Sequence, residues 1–111
     1  MAVYSDISID QGSDFSAEVV VNDATGTVAN LTGYTGAGQI RKTYSSSTFT
    51  AFGVTVTNAG NGVLTITLSN TVTNAMKAGR YVYDVEITKT SNGEITRVVE
   101  GQITIMPGVT Q

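Results

Sequence analysis

Carboxylates are the main candidates for catalysis in this sequence, which contains no histidine and no cysteine. Asp84, Glu86 and Glu100 are predicted to share one face of two paired strands. Closely spaced carboxylates can raise the pKa of one member for general acid catalysis, or bind a cation. A Ser/Thr–Lys arrangement is the other catalytic option. A solvated strand face explains the same pattern, and we favour it. The basic residues that could neutralise this face are Lys77, Lys89 and Arg97.

A second group of carboxylates recurs near a predicted bend. Asp6, Asp10 and Asp14 could offer oxygen ligands to Ca²⁺, but they lack the spacing of a calcium-binding loop. Asp often forms turns by accepting hydrogen bonds from nearby backbone, and that interpretation is preferred. We therefore predict no catalytic residue, no metal site, no cofactor and no enzymatic activity.

The composition narrows the class of protein. The chain has 111 residues, of which 14% are charged, and a formal net charge of −3 with six Lys and Arg. This length predicts one domain over residues 1–111, with an N-terminal arm at 1–5 and a C-terminal tail at 107–111. Nucleic acid is not expected as a partner, because phosphate binding needs a basic face. No signal peptide or membrane segment is predicted, and the lack of cysteine favours intracellular synthesis.

The segment from Gly79 to Met106 predicts the hairpin that carries Asp84, Glu86 and Glu100. Its two strands alternate in period two around the loop Ser91–Gly93. A two-residue Asn-Gly turn would place core-facing Val85 opposite Glu100, which is the wrong face. A three-residue loop with Gly93 in the left-handed conformation instead pairs Val85 with Val99 and Tyr83 with Gly101. We predict that register, with the Tyr83 ring lying over Gly101.

Alternation and turn residues predict the remaining elements. A turn is expected over residues 23–26. One short helical turn is expected over Thr71–Gly79, with Thr71 or Thr73 as its cap and Met76 packed against the core. A hairpin around Asn58–Gly62 needs an odd loop, which pairing of Thr57 with Val63 provides. The fold class is therefore all-β, an antiparallel β-sandwich of about seven strands. Its predicted strands contain Ile7–Ile9, Phe15–Val21, Tyr34–Tyr44, Phe49–Thr57, Val63–Ser69, Tyr81–Thr88 and Ile95–Met106.

Apolar residues on the side opposite the core are the candidate interface. Several on adjoining strands would form a patch of the kind that marks a contact surface, although single exposed valines are common. Glycines on the inward face of the third strand indicate a bulge or the close approach of another backbone. The interface candidates are Val20, Val82, Val98, Met106, Gly36 and Gly38.

The segment Ala78-Gly79-Arg80-Tyr81-Val82-Tyr83 resembles the immunoglobulin-fold pattern of a small residue, Gly, any residue, Tyr, any residue, Cys. By this resemblance Tyr81 is the tyrosine-corner residue, whose hydroxyl bonds back to the preceding loop. Tyr83 replaces the cysteine, and the chain has no Trp. The resemblance implies an immunoglobulin-like sandwich with Tyr81, Tyr83 and Gly101 as structural core.

Most of the chain also resembles the small immunoglobulin-like domains of tailed-phage virions, including the N-terminal domain of phage baseplate upper proteins. Each motif alone is turn and strand chemistry, and the order and spacing of the motifs give the resemblance its weight. The matching stretches are Ile9–Phe15, Leu31–Tyr34, Gln39–Lys42, Ala78–Val85 and Gly101–Thr110.

This resemblance implies a structural protein of the virion, synthesised in the bacterial host cytoplasm. The favoured role is a capsid-decorating or cement protein that binds the major capsid protein in many copies and self-associates. A tail, baseplate or head–tail joining protein of the same fold is the alternative. A carbohydrate-binding adhesion module is a weaker third hypothesis, because such sites favour exposed Trp or Tyr and the sequence assigns Tyr81 and Tyr83 to the core.

Overall fold

The computed structural model describes residues 3–22 and 25–109, in which β-strands predominate. Met1 and Ala2 of the predicted arm, Asp23 and Ala24 of the predicted turn, and Thr110 and Gln111 of the predicted tail lie outside the described residues. The strands are β1 (Val3–Tyr4), β2 (Ile7–Asp10), β3 (Phe15–Val20), β4 (Tyr34–Arg41), β5 (Thr50–Asn58), β6 (Val63–Leu68), β7 (Gly79–Lys89) and β8 (Ile95–Met106). A helix, α1, covers Asn70–Ala75, and a 3₁₀ turn covers Ala59–Asn61.

Strand β5 makes one sheet curl into two layers. Its first residues pair with β4, whereas the rest, from Gly53 onward, pair with β6. The strand order is β1-β8-β7-β4-β5-β6-β3, with β2 also pairing with β8. The predicted all-β, sandwich-like class is confirmed, with eight strands rather than seven in the described chain. The prediction of purely antiparallel pairing is wrong, because β1 and β2 run parallel to β8.

The inward side chains of both layers form one aliphatic core. Three rings connect the layers: Phe52 lies 6.3 Å from Phe15 and 6.0 Å from Tyr83 between ring centroids. Tyr83 is buried as predicted, at 4% exposure, and Tyr81 is partly buried against the core. The fully buried core side chains are Ile9, Leu31, Ile40, Leu64, Ile66, Val85, Ile103 and Ile105.

The predicted register of the β7–β8 hairpin is confirmed, but the predicted loop is wrong. Val85 pairs with Val99 and Tyr83 with Gly101, and Gly93 has a φ of +75°. The loop nevertheless holds four residues, 90–93, because the Lys89 amide donates to the Glu94 carbonyl at 2.8 Å. A β-bulge in β8 absorbs the difference, since Val85 pairs with Val99 but Glu86 pairs with Arg97.

The bulge leaves Val98 as the extra residue and reverses the alternation between it and the loop. Val98 is therefore buried, at 6% exposure, which makes its predicted outward orientation wrong. Ile95, expected to face the core, is 61% exposed for the same reason. The β5–β6 hairpin also contains a bulge. Val56 pairs with Leu64 in the predicted register, but the predicted pairing of Thr57 with Val63 is wrong, because Asn58 pairs with Val63 and Thr57 is the extra residue.

The predicted helical turn is present as α1. It begins one residue earlier than predicted and is capped by Ser69, whose hydroxyl accepts from the Val72 amide at 3.4 Å. Thr73, predicted as a possible cap, is instead fully buried and donates to the Ser13 carbonyl at 2.8 Å. Met76 packs into the core as expected. The helix thus holds the start of β3 against the end of β6.

The N-terminal arm is not loose over Val3–Ser5, which corrects the sequence prediction. The chain kinks between β1 and β2, where the Ser5 amide still donates to the Glu100 carbonyl at 2.8 Å. The Ser5 carbonyl turns inward over Gly101 and accepts from the Tyr83 hydroxyl at 2.6 Å. The Asp6 carboxylate replaces it in the ladder by accepting from the Gln102 amide at 3.1 Å. We call Ser5, Asp6, Tyr83 and Gly101 the N-terminal clasp.

Glycine is required in the clasp because a Cβ on Gly101 would lie 2.1 Å from the Ser5 carbonyl oxygen. The nearest atoms to that position belong to the Ser5 backbone, so the close approach explains this glycine better than the ring of Tyr83 does. The clasp therefore depends on a residue without a side chain.

Gly101→Ala is expected to release β1 and β2 from β8 and to lower the free energy of unfolding by about 3 kcal/mol, because the Ser5 backbone must move. Amide hydrogen exchange would show lost protection at Ile7 and Ile9, and denaturant unfolding would give the free energy. Gly60→Ala is the matched control, because its Cβ would meet no atom within 4 Å. Equal stability of the two variants would contradict the clasp.

Burial raises the pKa of Tyr83. Above pH about 10 the unfolded chain loses this proton while the folded chain keeps it, so stability falls until pH passes the folded pKa. The expected extra loss is at most about 1.4 kcal/mol per pH unit. Denaturant unfolding at pH 8–11.5 should show this extra loss of stability in the native chain but not in Tyr83→Phe. Parallel pH profiles of the two proteins would refute the raised pKa.

Candidate functional site

A groove of about 360 Å³ lies on the outer face of the layer formed by β4, β7 and β8. Its floor consists of outward side chains from the middle of these strands, and the segment after β4 forms one wall. We call it the outer-face groove. Its lining includes the side chains of Gln39, Arg41, Tyr44, Val82, Asp84, Glu86, Arg97 and Glu100.

The predicted grouping of Asp84, Glu86 and Glu100 on one face is confirmed, since all three line this groove. Asp84 pairs directly with Glu100 across the two strands. Arg97 lies between them, with its Nε 3.3 Å from Asp84 Oδ2 and its Nη1 3.9 Å from Glu100 Oε1. The bulge at Val98 places Arg97 there, because unbroken alternation would turn it inward. The guanidinium offsets the repulsion of two opposed carboxylates.

The groove wall is held by Arg41, the last residue of β4. Its guanidinium donates to Gln39 Oε1 at 2.9 Å and to the Ser46 carbonyl, and it lies 5.2 Å from the centre of the Phe49 ring. These contacts fold the segment 42–49 back over the sheet face. The Tyr44 side chain, 77% exposed, therefore borders the groove rather than extending away from the protein.

A second tyrosine lies beside the groove at the sheet edge. Tyr4 of β1 pairs with Glu100 and is 61% exposed. Its pKa is raised, first by partial desolvation and then by the charges of Asp6, Tyr44 and Glu100. The sequence did not identify Tyr4 or Tyr44 as site residues, because it placed Tyr4 in the N-terminal arm and Tyr44 at the end of a strand, whereas β4 ends at Arg41.

Two of the three aspartates considered as calcium ligands accept hydrogen bonds from backbone amides. Asp6 accepts from the Gln102 amide, and Asp14 accepts from the Asn70 amide at 2.7 Å, at the start of α1. Among the described residues, no three His, Cys, Asp or Glu side chains are grouped so that they could hold a metal ion. No helix in the described ranges is long and apolar enough to cross a membrane.

The sequence-predicted interface residues do not form one patch. Val20 and Met106 are 55% and 45% exposed, but they lie on different layers. Val82 is half-buried in the outer-face groove and pairs with Gln102 rather than with a residue of the expected patch. Val98 is buried, so the proposed Val82–Val98 surface is not present.

Gly36 and Gly38 are contacted by side chains of β5. A Cβ at Gly36 would lie 2.4 Å from Val54 Cγ1, and one at Gly38 would lie 3.0 Å from the Phe52 ring. The expected close approach is therefore made mainly by side chains, and β4 carries no bulge at these glycines. Both residues serve the packing between β4 and β5, and they offer little surface to a partner.

The sequence matches no protein-family model and no curated protein. In structure, the chain is similar to the N-terminal domain of ORF48 of phage TP901-1, with a TM-score of 0.57 and 14% identity, covering 91% of this chain and 84% of that one. A family 123 glycoside hydrolase from Clostridium perfringens aligns less well, at a TM-score of 0.45 and 12% identity. The alignment covers 97% of this chain and 24% of that one. The likeness to the phage domain establishes a shared fold.

Arg97→Leu is expected to lower the free energy of unfolding by about 0.5–1 kcal/mol, because it leaves Asp84 and Glu100 opposed without a counter-ion. Since these groups are partly exposed, the loss should shrink in high salt. Denaturant unfolding at two salt concentrations measures both effects. Arg80→Leu, at an exposed arginine on the neighbouring strand β7 with no ion pair among the described residues, is the control. A salt-independent loss would argue against this role.

Proposed function

We propose that this protein is a non-enzymatic structural component of a tailed-phage particle. The proposal rests on the fold. Over 91% of its length, this protein shares that fold with a domain of a phage protein. The sequence motifs that resemble virion domains agree with that likeness. The opposed carboxylates of the groove are bridged by Arg97, which favours a structural role for them over general acid catalysis.

We infer that the sandwich is immunoglobulin-like. The neighbours β3-β6-β5 and β4-β7-β8 follow the order B-E-D and C-F-G of immunoglobulin domains. The Tyr81 hydroxyl donates to the Lys77 carbonyl at 2.7 Å, which is the bond of a tyrosine corner. The buried Tyr83 occupies the position of the cysteine and joins the layers through ring contacts instead of a disulfide.

The surface that suits attachment is the open side of the sandwich. Among the described strands, β3 pairs only with β6, and β1 and β2 pair only with β8, so both outer edges keep unpaired backbone groups. Side chains beside these edges, including Ile7, Phe15 and Val19, are only partly buried against the core. Unpaired edges with apolar neighbours are suited to strand addition by another chain.

The finer proposal is a capsid-decorating or cement protein that binds the major capsid protein in many copies and associates with itself. Repeated weak edge contacts across a lattice would add through multivalency. A tail, baseplate or head–tail joining protein of the same fold is the alternative, and it would use the same edges in fewer copies.

Quantitative mass spectrometry of purified particles should find this chain on the order of hundreds of copies per particle if it decorates the capsid. The isolated chain should also bind expanded, empty heads. A copy number of tens or fewer would favour the alternative, and absence from particles would refute the virion proposal.

The Val20→Lys substitution tests the β3 edge directly, because it adds a charge at an exposed position on β3 itself. The variant should fold normally and bind particles at least tenfold more weakly. Ile95→Lys, at a comparably exposed residue on β8 in the other layer, away from the β3 edge, is the control. Equal binding by the two variants would mean that the β3 edge is not the attachment surface.

A further inference from the structure

The outer-face groove is lined by side chains that both donate and accept hydrogen bonds. Gln39 provides an amide, Arg41 and Arg97 provide guanidinium groups, and Asp84, Glu86 and Glu100 provide carboxylates. Its volume of about 360 Å³ lies within the range of about 300–1,000 Å³ that is typical of small-molecule sites. Such a mixture of planar polar groups suits a ligand that carries many hydroxyls.

The charges in the groove are largely balanced. Two guanidinium groups face three carboxylates, and Arg97 already pairs with Asp84 and Glu100. Glu86 makes no ion pair or hydrogen bond with any other described residue, so its carboxylate is available to accept from a ligand. An anionic ligand such as nucleic acid or an acidic sugar is disfavoured, because the lining carries a small negative excess.

Aromatic rings stand beside this polar floor. Tyr44 borders the groove at 77% exposure, and Tyr4 lies next to it at the edge, beside Glu100. A pyranose ring has an apolar C–H face and a polar rim, so an exposed ring over hydrogen-bonding groups matches both of its surfaces.

From this juxtaposition we propose that the outer-face groove binds a neutral oligosaccharide, with Tyr44 stacking on one sugar ring. Gln39, Glu86 and the Arg97-bridged carboxylates bind the hydroxyls. This corrects the premise on which the sequence disfavoured carbohydrate binding: Tyr81 and Tyr83 do belong to the fold's interior contacts, but Tyr4 and Tyr44 remain exposed. The proposal does not depend on the virion role, because it concerns the free face of the domain.

The test is an NMR titration of the isotope-labelled chain with neutral linear oligosaccharides of glucose, mannose, galactose, xylose and N-acetylglucosamine, each at up to about 10 mM. At least one should shift the amide signals of residues 37–44, 82–86 and 97–100. Its affinity should be unchanged between about 50 and about 500 mM salt, because the ligand is uncharged.

Variants separate stacking from general surface effects. Tyr44→Ala should weaken binding about tenfold by removing the stacked ring, whereas Tyr44→Phe should keep most of it. Ile95→Ala, another exposed apolar residue outside the groove, should bind normally. Neither Tyr44 variant should lower the stability of the fold, so a loss of binding would not reflect unfolding.

Three results would overturn the proposal. One is that no neutral oligosaccharide in the panel shifts the groove signals. Another is that binding is confined to oligogalacturonate, to glucosamine oligomers or to oligolysine, which would assign the groove to a charged ligand or a basic peptide segment. The last is that Tyr44→Ala and Ile95→Ala bind the sugar equally well.

Discussion

Alternation of side chains across a strand is the constraint on which this structure depends. A hairpin fills the core from both strands only if its register keeps the apolar set on one face. Each hairpin of this chain closes with a four-residue loop, which by itself would shift the register by one residue. A bulge in one strand of each hairpin restores the register. The core is therefore continuous, and the irregularity is moved to the strand.

The bulge in β8 has a consequence for the site as well as for the core. By burying Val98 it turns Arg97 outward, beside the two carboxylates that would otherwise repel one another. The same bulge therefore has two effects. It keeps Val99 opposite Val85 in the core, and it balances the charge of the outer-face groove by placing Arg97 there. Fold and site share one cause here, because a bulge re-aims every side chain between it and the loop.

The sequence predicted the register of the β7–β8 hairpin at Val85 and Tyr83, since parity decides which residues face the core, but it paired Thr57 with Val63, where the structure pairs Asn58. It could not locate the bulges, because a loop with an odd number of residues and a loop with an even number of residues plus a bulge give the same core-facing pairs. The N-terminal clasp was beyond prediction for another reason: parallel pairing of β1 and β2 with β8 joins residues about a hundred positions apart. Gly101 is required by the Ser5 backbone, which leaves no periodic signal. Tyr44 was missed because the sequence extended the strand through it, whereas β4 ends at Arg41 and contacts of Arg41, together with a turn between Thr43 and Ser46, fold the segment back.

The proposed attachment surface and the proposed sugar-binding groove are neighbouring but different surfaces of the domain. The open edges run along β3 and along β1 and β2, whereas the groove lies on the outer face of β4, β7 and β8. They meet only at β1, where Tyr4 is both an edge residue and a neighbour of the groove. A partner strand added at β3 would leave the groove open to solvent. One added at β1 would extend the sheet beyond Tyr4 and lengthen the groove, so that particle attachment through this edge would also shape the sugar site.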